Sequence, residues 1–408
     1  MAAVTPAFAA PPPVIVNRHR LHDGQLRVSR IDGNGVSKLY VGVLPDTEGG
    51  FEDQVRGIYR RLDLFLGTVG ARPADVITER VFLSDLPAQV EALRHLREMH
   101  YARTGEARPC TTYVQQPPCR PGALCELQAR VVFASKPGQD LVVRDLSGDL
   151  GEGRAKMVSY RGYDHIYAHN ITGGAAGDGL SYAAQADGAF HRAEGLLEGL
   201  GLTFRDVIRT WLFVAEMDRD YGDLNRVRSA FFDQVGVRRL PASTGIQGGV
   251  YPADRGGSMD FYALRSERPF QVEVMHAASL NEAPVYGSRF SRGLVVTRDD
   301  RSIAYVSGTA SIDDQGNVVH LGDIEGQVRR MLLNVENLLA GSGAAMGDIV
   351  RATTYLKDAG DAPLYRRIWQ ARDLPRNIPH TLCHADVCRP EWLCEIEVVA
   401  IFPPRTGS

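Results

Sequence analysis

The sequence predicts an α+β fold built from three tandem copies of one structural unit. Three observations predict it. A helix of apolar period 3.6, a Gly, a short loop, an Asp-(Val/Ile)-(Ile/Val) triplet, an Arg-containing step and an apolar strand recur three times in this order. Each copy then continues into a second helix, a Pro-marked break and a closing pair of strands. The closing segments of copies one and three also run in parallel, Cys119-Arg120-Pro121-Gly122-Ala123-Leu124-Cys125-Glu126-Leu127-Gln128 against Cys388-Arg389-Pro390-Glu391-Trp392-Leu393-Cys394-Glu395-Ile396-Glu397.

In copy one the helix is expected over 54–66, followed by Gly70, Asp75-Val76-Ile77 and the strand Arg80-Val81-Phe82-Leu83, with the second helix over 88–101. Copy two gives a helix over 190–200, Gly201, Asp206-Val207-Ile208, Arg209-Thr210-Trp211-Leu212-Phe213 and a helix over 224–232. Copy three gives 328–339, Gly343, Asp348-Ile349-Val350, Arg351-Ala352-Thr353-Thr354-Tyr355 and 362–372. The Asp caps or ends the connection from the helix, and the β-branched run after it has the pattern of a buried strand. An amphipathic helix needs an apolar sheet face to cover, so each copy reads as one α+β layer. Gly, Pro and polar residues thicken over 138–153 and 269–284, which sets units at 14–137, 154–268 and 284–404. Residues 1–13, rich in Ala and Pro, read as a disordered leader, and the Gly-rich run 173–177 as a turn between strands of copy two.

The chain has 408 residues, 44% apolar and 23% charged, with a formal net charge of -3. That balance gives no electrostatic reason to expect nucleic acid or an acidic membrane as partner. The leader lacks a basic n-region and an apolar core, so the cytoplasm is the expected compartment and the six cysteines are expected as thiols. His380, Cys383, His384, Cys388 and Cys394 lack a Cys-x-x-Cys pair, and strand alternation scatters them over two faces, so no metal is expected.

The order helix, Asp-Val-(Val/Ile), strand, helix, Pro, strand and Glu-Ile-Glu strand resembles the Rid/YjgF family over nearly the whole chain. The resemblance implies chorismate-mutase-like units. Members of that family are homotrimers with active sites in the clefts between subunits, so three copies in one chain imply an intrachain pseudo-trimer. The deaminases of the family carry an Arg in a Pro-Ala-Arg-Ser-like motif. Here the equivalent positions read Pro109-Cys110-Thr111-Thr112, Pro241-Ala242-Ser243-Thr244 and Pro379-His380-Thr381-Leu382, and none holds that Arg.

Arg209-Thr210-Trp211, Pro241-Ala242-Ser243-Thr244-Gly245-Ile246, Tyr286-Gly287-Ser288-Arg289 and His384-Ala385-Asp386-Val387-Cys388-Arg389 resemble, in this order, motifs of the chorismatases. These Rid-related enzymes split chorismate into pyruvate and a cyclic or aromatic hydroxy acid. The likeness is to the branch that forms 3-hydroxybenzoate, although Leu212-Phe213 stands where those enzymes have Asn-Tyr. It implies a cofactor-independent hydrolase or lyase of secondary metabolism, cleaving the enolpyruvyl ether of chorismate or a related cyclic carboxylic acid. The expected partner is a small-molecule carboxylate, with the chain a monomer or weak homo-oligomer.

Protonating a vinyl carbon asks for a carboxylic acid with a raised pKa, and burial in an apolar wall raises it. Glu395 aligns with the family's catalytic Glu, and alternation puts Glu397 on the same side of its strand. Cys388 aligns with a Cys of the 3-hydroxybenzoate-forming enzymes, and Gly248 with the small residue opposite it; the plain alternative for Cys388 is a small buried hydrophobe. Arg209, Arg289 and Arg389 are the candidate carboxylate-binding cations, with Tyr286 as a hydroxyl donor, and surface or inter-repeat pairing is the alternative for each. Arg226 or Arg228 joins them if it faces the cleft. Two other classes stay open: a Rid-like enzyme acting on an imine, enamine or other reactive intermediate, and a non-catalytic binding member.

Overall fold

The Asp that recurs in each copy fixes where the central strand begins. Asp75 accepts the backbone N–H of Arg72 at 2.7 Å, Asp206 that of Thr203 at 2.9 Å and Asp348 that of Ala345 at 2.8 Å. Each Asp closes a single 3-10 turn (Pro73–Asp75, Phe204–Asp206, Met346–Asp348) that delivers the chain into the next strand. In all three copies that strand then shifts register against its antiparallel neighbour, between Val76 and Thr78, Val207 and Arg209, and Ile349 and Arg351. Such a bulge re-aims the side chains around it.

The computed structural model describes residues 15–103, 108–175, 177–372 and 374–404. The leader expected over 1–13 lies outside the described residues. The first unit comprises β1 (Ile15–Leu21), β2 (Leu26–Gly33), β3 (Val36–Val43), α1 (Phe51–Val69), β4 (Val76–Leu83), α2 (Leu86–Ala102), β5 (Cys110–Gln115) and β6 (Cys125–Ala134). The second has β7 (Val142–Leu146), β8 (Arg154–Tyr160), β9 (Tyr163–Ile171), α3 (Tyr182–Glu198), β10 (Val207–Val214), α4 (Met217–Val235), β11 (Ala242–Gln247), β12 (Gly249–Val250) and β13 (Gly257–Ser266). The third has β14 (Gln271–Val274), β15 (Gly293–Thr297), β16 (Ser302–Ala310), α5 (Ile324–Gly341), β17 (Ile349–Leu356), α6 (Ala362–Ala371), β18 (His380–His384) and β19 (Cys394–Phe402).

The strands form three sheets, ordered β1-β2-β3-β6-β4-β5-β12, β11-β10-β13-β9-β8-β7 and β14-β15-β16-β19-β17-β18. Strands β4 and β5, β10 and β11, and β17 and β18 are parallel, each pair joined through the second helix of its unit. Both stretches expected as linkers contain a strand, β7 and β14, which close the edges of the second and third sheets. The two residues of β12 leave their own unit and pair with β5 of the first sheet.

Each helix pair covers one face of its sheet. Val55, Leu62 and Leu93 meet Leu39 and Val131 in the first unit; Phe190, Phe204 and Phe231 form an aromatic cluster in the second; Met331, Leu338 and Trp369 do the same for the third. Each of these fully buried side chains contributes about 1.5–3 kcal/mol. The opposite faces of the three sheets meet one another, and Tyr40, Tyr160, Tyr167, Tyr262, Tyr305 and Val399 make a fourth core drawn from all three units. This is an α+β intrachain pseudo-trimer. The Gly-rich run 173–177 is a correction: it connects β9 to α3, not two strands. A Cβ on Gly173 would lie 1.8 Å from the backbone oxygen of Gln185, so the helix passes too closely for any other residue. No helix among the described residues is long and apolar enough to cross a membrane.

Candidate active site

Strand alternation points Glu395 and Glu397 to the same side of β19, toward the second unit. Glu395 lies opposite Tyr355 on β17 and Ala310 on β16, and it is buried. Its carboxyl occupies space left by a missing side chain, because a Cβ on Gly308 would sit 2.0 Å from its Oε1. No hydrogen bond reaches that carboxyl among the described residues. Burial and the neighbouring Glu397 push it up to about 8, against the pull of Arg209 and Arg292. Glu395 is thus a neutral acid at pH 7.

Glu397, two residues on, has the opposite fate. It accepts hydrogen bonds from Arg209 Nη2, Trp211 Nε1 and Thr244 Oγ1, each at 2.7 Å. Arg351 and Arg80 stand 3.6 and 3.8 Å away. Burial alone would raise it, yet Arg209, Arg351 and Arg80 together hold it below the usual carboxylate range. The pairing that positions Arg209 is therefore internal. Its Nη2 serves Glu397 and Thr244, while its Nη1 is buried without a partner.

Cys388 is half-buried where the cores of units two and three meet. Burial, reinforced by Glu395, pushes its thiol up to about 12, and the Tyr221 hydroxyl hydrogen-bonds to it. A thiol pushed up in this way favours its protonated form and lies against Glu395 as part of the site's wall. From Tyr221 a polar chain runs to Ser288 (3.2 Å), then Asn225 (3.3 Å) and Arg228 (2.5 Å). Arg228 is buried, whereas Arg226 pairs with Asp223 in solvent.

Other expected residues lie elsewhere. Arg289 binds Asp233 at 2.6 Å along α4, so its charge is neutralised away from Glu395. Arg389 donates to the carbonyl of Gly316 at 2.8 Å and stacks on Trp392, holding the turn over 313–317. Gly248 follows Gln247, whose backbone N–H donates to the Asp386 carbonyl at 3.1 Å, and a Cβ on it would meet Val114 of the first unit at 2.5 Å. Tyr286 ends a short 3-10 turn, Ala283–Tyr286, and its side chain lies outside the described residues. Among the described residues no group of three or more His, Cys, Asp and Glu converges to hold a metal. Sequence reasoning missed Arg292, Tyr221 and Gly308. Arg292 is buried, donates twice to Asn281 and stands three residues beyond the Tyr286-Gly287-Ser288-Arg289 motif, which was the available signal.

The same register recurs at the other two clefts with different residues. Gln128 opposes Arg80 and Asp260 opposes Trp211, as Glu397 opposes Thr353. Two residues before them stand Glu126, Ser258 and Glu395. Asp260 faces unit one, taking Arg80 at 2.8 Å and Thr112 at 2.6 Å. Glu126 faces unit three, where it accepts from Thr381, and burial pushes it up to about 7.

The sequence profile of the endoribonuclease L-PSP family matches residues 281–402. The 3-aminoacrylate deaminase RutC of Acinetobacter baylyi is 31% identical over 100 residues, which are 24% of this chain and 79% of RutC. A solved chorismatase shares the fold, with a TM-score of 0.56 and 18% identity over 80% of this chain and 93% of its own. YyfA of Yersinia pestis, a Rid-family protein of unknown function, aligns at 22% identity and a TM-score of 0.28 over 32% of this chain and 98% of its own. With one unit matched by the family profile and the same unit fold repeated three times, this chain belongs to the Rid/YjgF family, the endoribonuclease L-PSP group.

Proposed function

We propose that the cleft between units two and three cleaves the enolpyruvyl ether of chorismate, or of a related cyclic carboxylic acid, as a cofactor-independent hydrolase or lyase of secondary metabolism. The observation that carries the reading is Glu395, a buried acid pushed up to about 8, with no hydrogen bond among the described residues. A proton held on a carboxyl at neutral pH is what a vinyl ether requires, and a positioned general acid of this kind contributes roughly 10²–10⁴-fold. Glu395 gives its proton to the terminal vinyl carbon, whose C=C pair forms the new C–H bond. The ether carbon becomes an oxocarbenium ion; water adds to it and returns a proton to Glu395. Collapse of the hemiketal breaks the C–O bond, leaving pyruvate and the ring alcohol.

The unpartnered Nη1 of Arg209 and the nearby guanidinium of Arg292 supply cations for the substrate carboxylates. Cys388 and Tyr221 form a wall against the ring and bias whether the ring diol leaves as such or loses one water to give a hydroxybenzoate. The likeness to chorismatase supports the reading at the level of fold. A second reading, action on an enamine acid, is favoured by the RutC match. The test is to incubate the protein with chorismate and follow pyruvate, with Glu395→Gln alongside. Pyruvate release that the variant loses supports ether cleavage; ammonia released from 3-aminoacrylate, with no pyruvate from chorismate, supports the second reading. Absence of both products overturns both readings.

A further inference from the structure

The cleft between units one and three opens into a cavity of about 500 Å³, within the roughly 300–1,000 Å³ that small-molecule sites occupy. Five arginines line it, Arg20, Arg27, Arg120, Arg366 and Arg376, against two acids, Asp23 and Glu126. Arg97 and Arg80 are each matched to an acid, Glu79 at 2.7 Å and Asp260 at 2.8 Å. Here the match fails. Arg27, Arg120 and Arg366 make no side-chain hydrogen bond or ion pair among the described residues, and Arg27 Nε is buried without a partner. Arg20 and Arg376 reach only backbone carbonyls, of Asp23 and Gln370. Burial lowers the pKa of Arg27, and Arg20, Arg366 and Arg120 lower it further by repulsion, with Glu126 the one opposing charge. Glu126 itself is pushed up to about 7 and so offers incomplete compensation.

Unmatched guanidinium groups around a ligand-sized space repel one another unless an anion joins them. Tyr365, Trp369 and His380 add an aromatic wall, with the Trp369 and His380 rings 4.4 Å apart. Burial pushes His380 down to about 3, so it stays neutral and adds no charge. We infer that this cavity binds a small molecule bearing two or more negatively charged carboxylate or phosphate groups, at a site separate from Glu395. The inference is independent of the reaction proposed for Glu395.

Titration calorimetry of the full chain tests it, with citrate and with pyrophosphate as probes at matched ionic strength and acetate as the singly charged control. One of the two multiply charged probes is expected to bind saturably and at least about tenfold more tightly than acetate, the scale of one charge-assisted hydrogen bond. Citrate ahead of pyrophosphate assigns a carboxylate ligand, and the reverse a phosphate. Arg27→Met is expected to weaken that binding about tenfold or more by the same measure. Arg366→Met, on an exposed face of α6, does likewise where folding is not in question. Glu395→Gln leaves the binding unchanged. No preference over acetate, binding that both Arg variants retain, or binding that Glu395→Gln abolishes would each overturn the assignment.

Discussion

Glu395 and Glu126 occupy the same register position in two sheets, both buried and both protonated more readily than an ordinary carboxylate, yet their surroundings are opposite. Around Glu395 the cations are held in part by the protein, Arg209 through its Nη2 to Glu397 and Arg292 to Asn281, which leaves Arg209 Nη1 without a partner among the described residues. Around Glu126 they stand unmatched on an open cavity. The residue two positions on accounts for much of the contrast. Glu397 gathers Arg209, Trp211 and Thr244, whereas Gln128 carries no charge and only donates to Thr353 and Thr381. One carboxylate exchanged for an amide therefore separates a cleft whose arginines are partly held by protein groups from one whose arginines stand unmatched.

The strongest way to break this contrast is to swap the acids. Glu395→Gln is expected to reduce pyruvate release from chorismate by about 10²–10⁴-fold, while Glu126→Gln leaves it within about twofold, measured at saturating substrate. Equal losses in both variants would mean that the two clefts do the same chemistry. Next is Glu397→Ala, which leaves Arg209, Arg351 and Arg80 without their shared anion and is expected to cost about 3–5 kcal/mol in denaturant unfolding. Gln128→Ala, which uncovers no charge, should cost about 1–3 kcal/mol. Gly308→Ala drives a methyl into the Glu395 carboxyl and is expected to cost about 1–3 kcal/mol and displace the acid, so activity falls with it.

The pH dependence sharpens the comparison further. Glu395 binds its proton more tightly in the folded chain, at about 8, than at its ordinary 4.5. Its contribution to stability is therefore full below pH 4.5 and is lost as the pH climbs through about 8. Activity should follow the protonated fraction and decline above pH 8, and Glu395→Gln should flatten the fall of stability over that interval. The smallest effect belongs to Arg289→Ala, which removes a surface pair with Asp233 and should change stability by about 0–1 kcal/mol with no loss of activity.

Much of the fold was legible because it rests on local chemistry. The recurring Asp is a capping group, and the β-branched run after it can only be buried, so three copies of the same helix–turn–strand unit follow from their residues. Glu395 stood out only through the resemblance to the family's catalytic Glu, while alternation along β19, which needs no knowledge of distant partners, put Glu397 on its side. What a cation does was not legible. Arg209, Arg289 and Arg389 look alike in the sequence, and only the placement of Glu397, Asp233 and Gly316 separates them. Nor was it legible that β12 crosses to the first sheet just after Gly248, bringing that glycine against Val114. The arginines of the open cavity went unseen because they come from β1, β2, the turn after β5 and the region of α6, far apart in the chain.

The linkage of three units in one chain has a consequence for how such clefts diverge. In an assembly of identical subunits a substitution appears in every cleft at once, and any change useful in one must be tolerable in all. Here Ser258 fills the position that Glu126 and Glu395 fill in the other two units, and those two acids have different neighbours. Each cleft is inherited separately, so one can keep a reaction while another is free to become a sensor for a different molecule, and mutations that tune the second need not pass through a loss of the first.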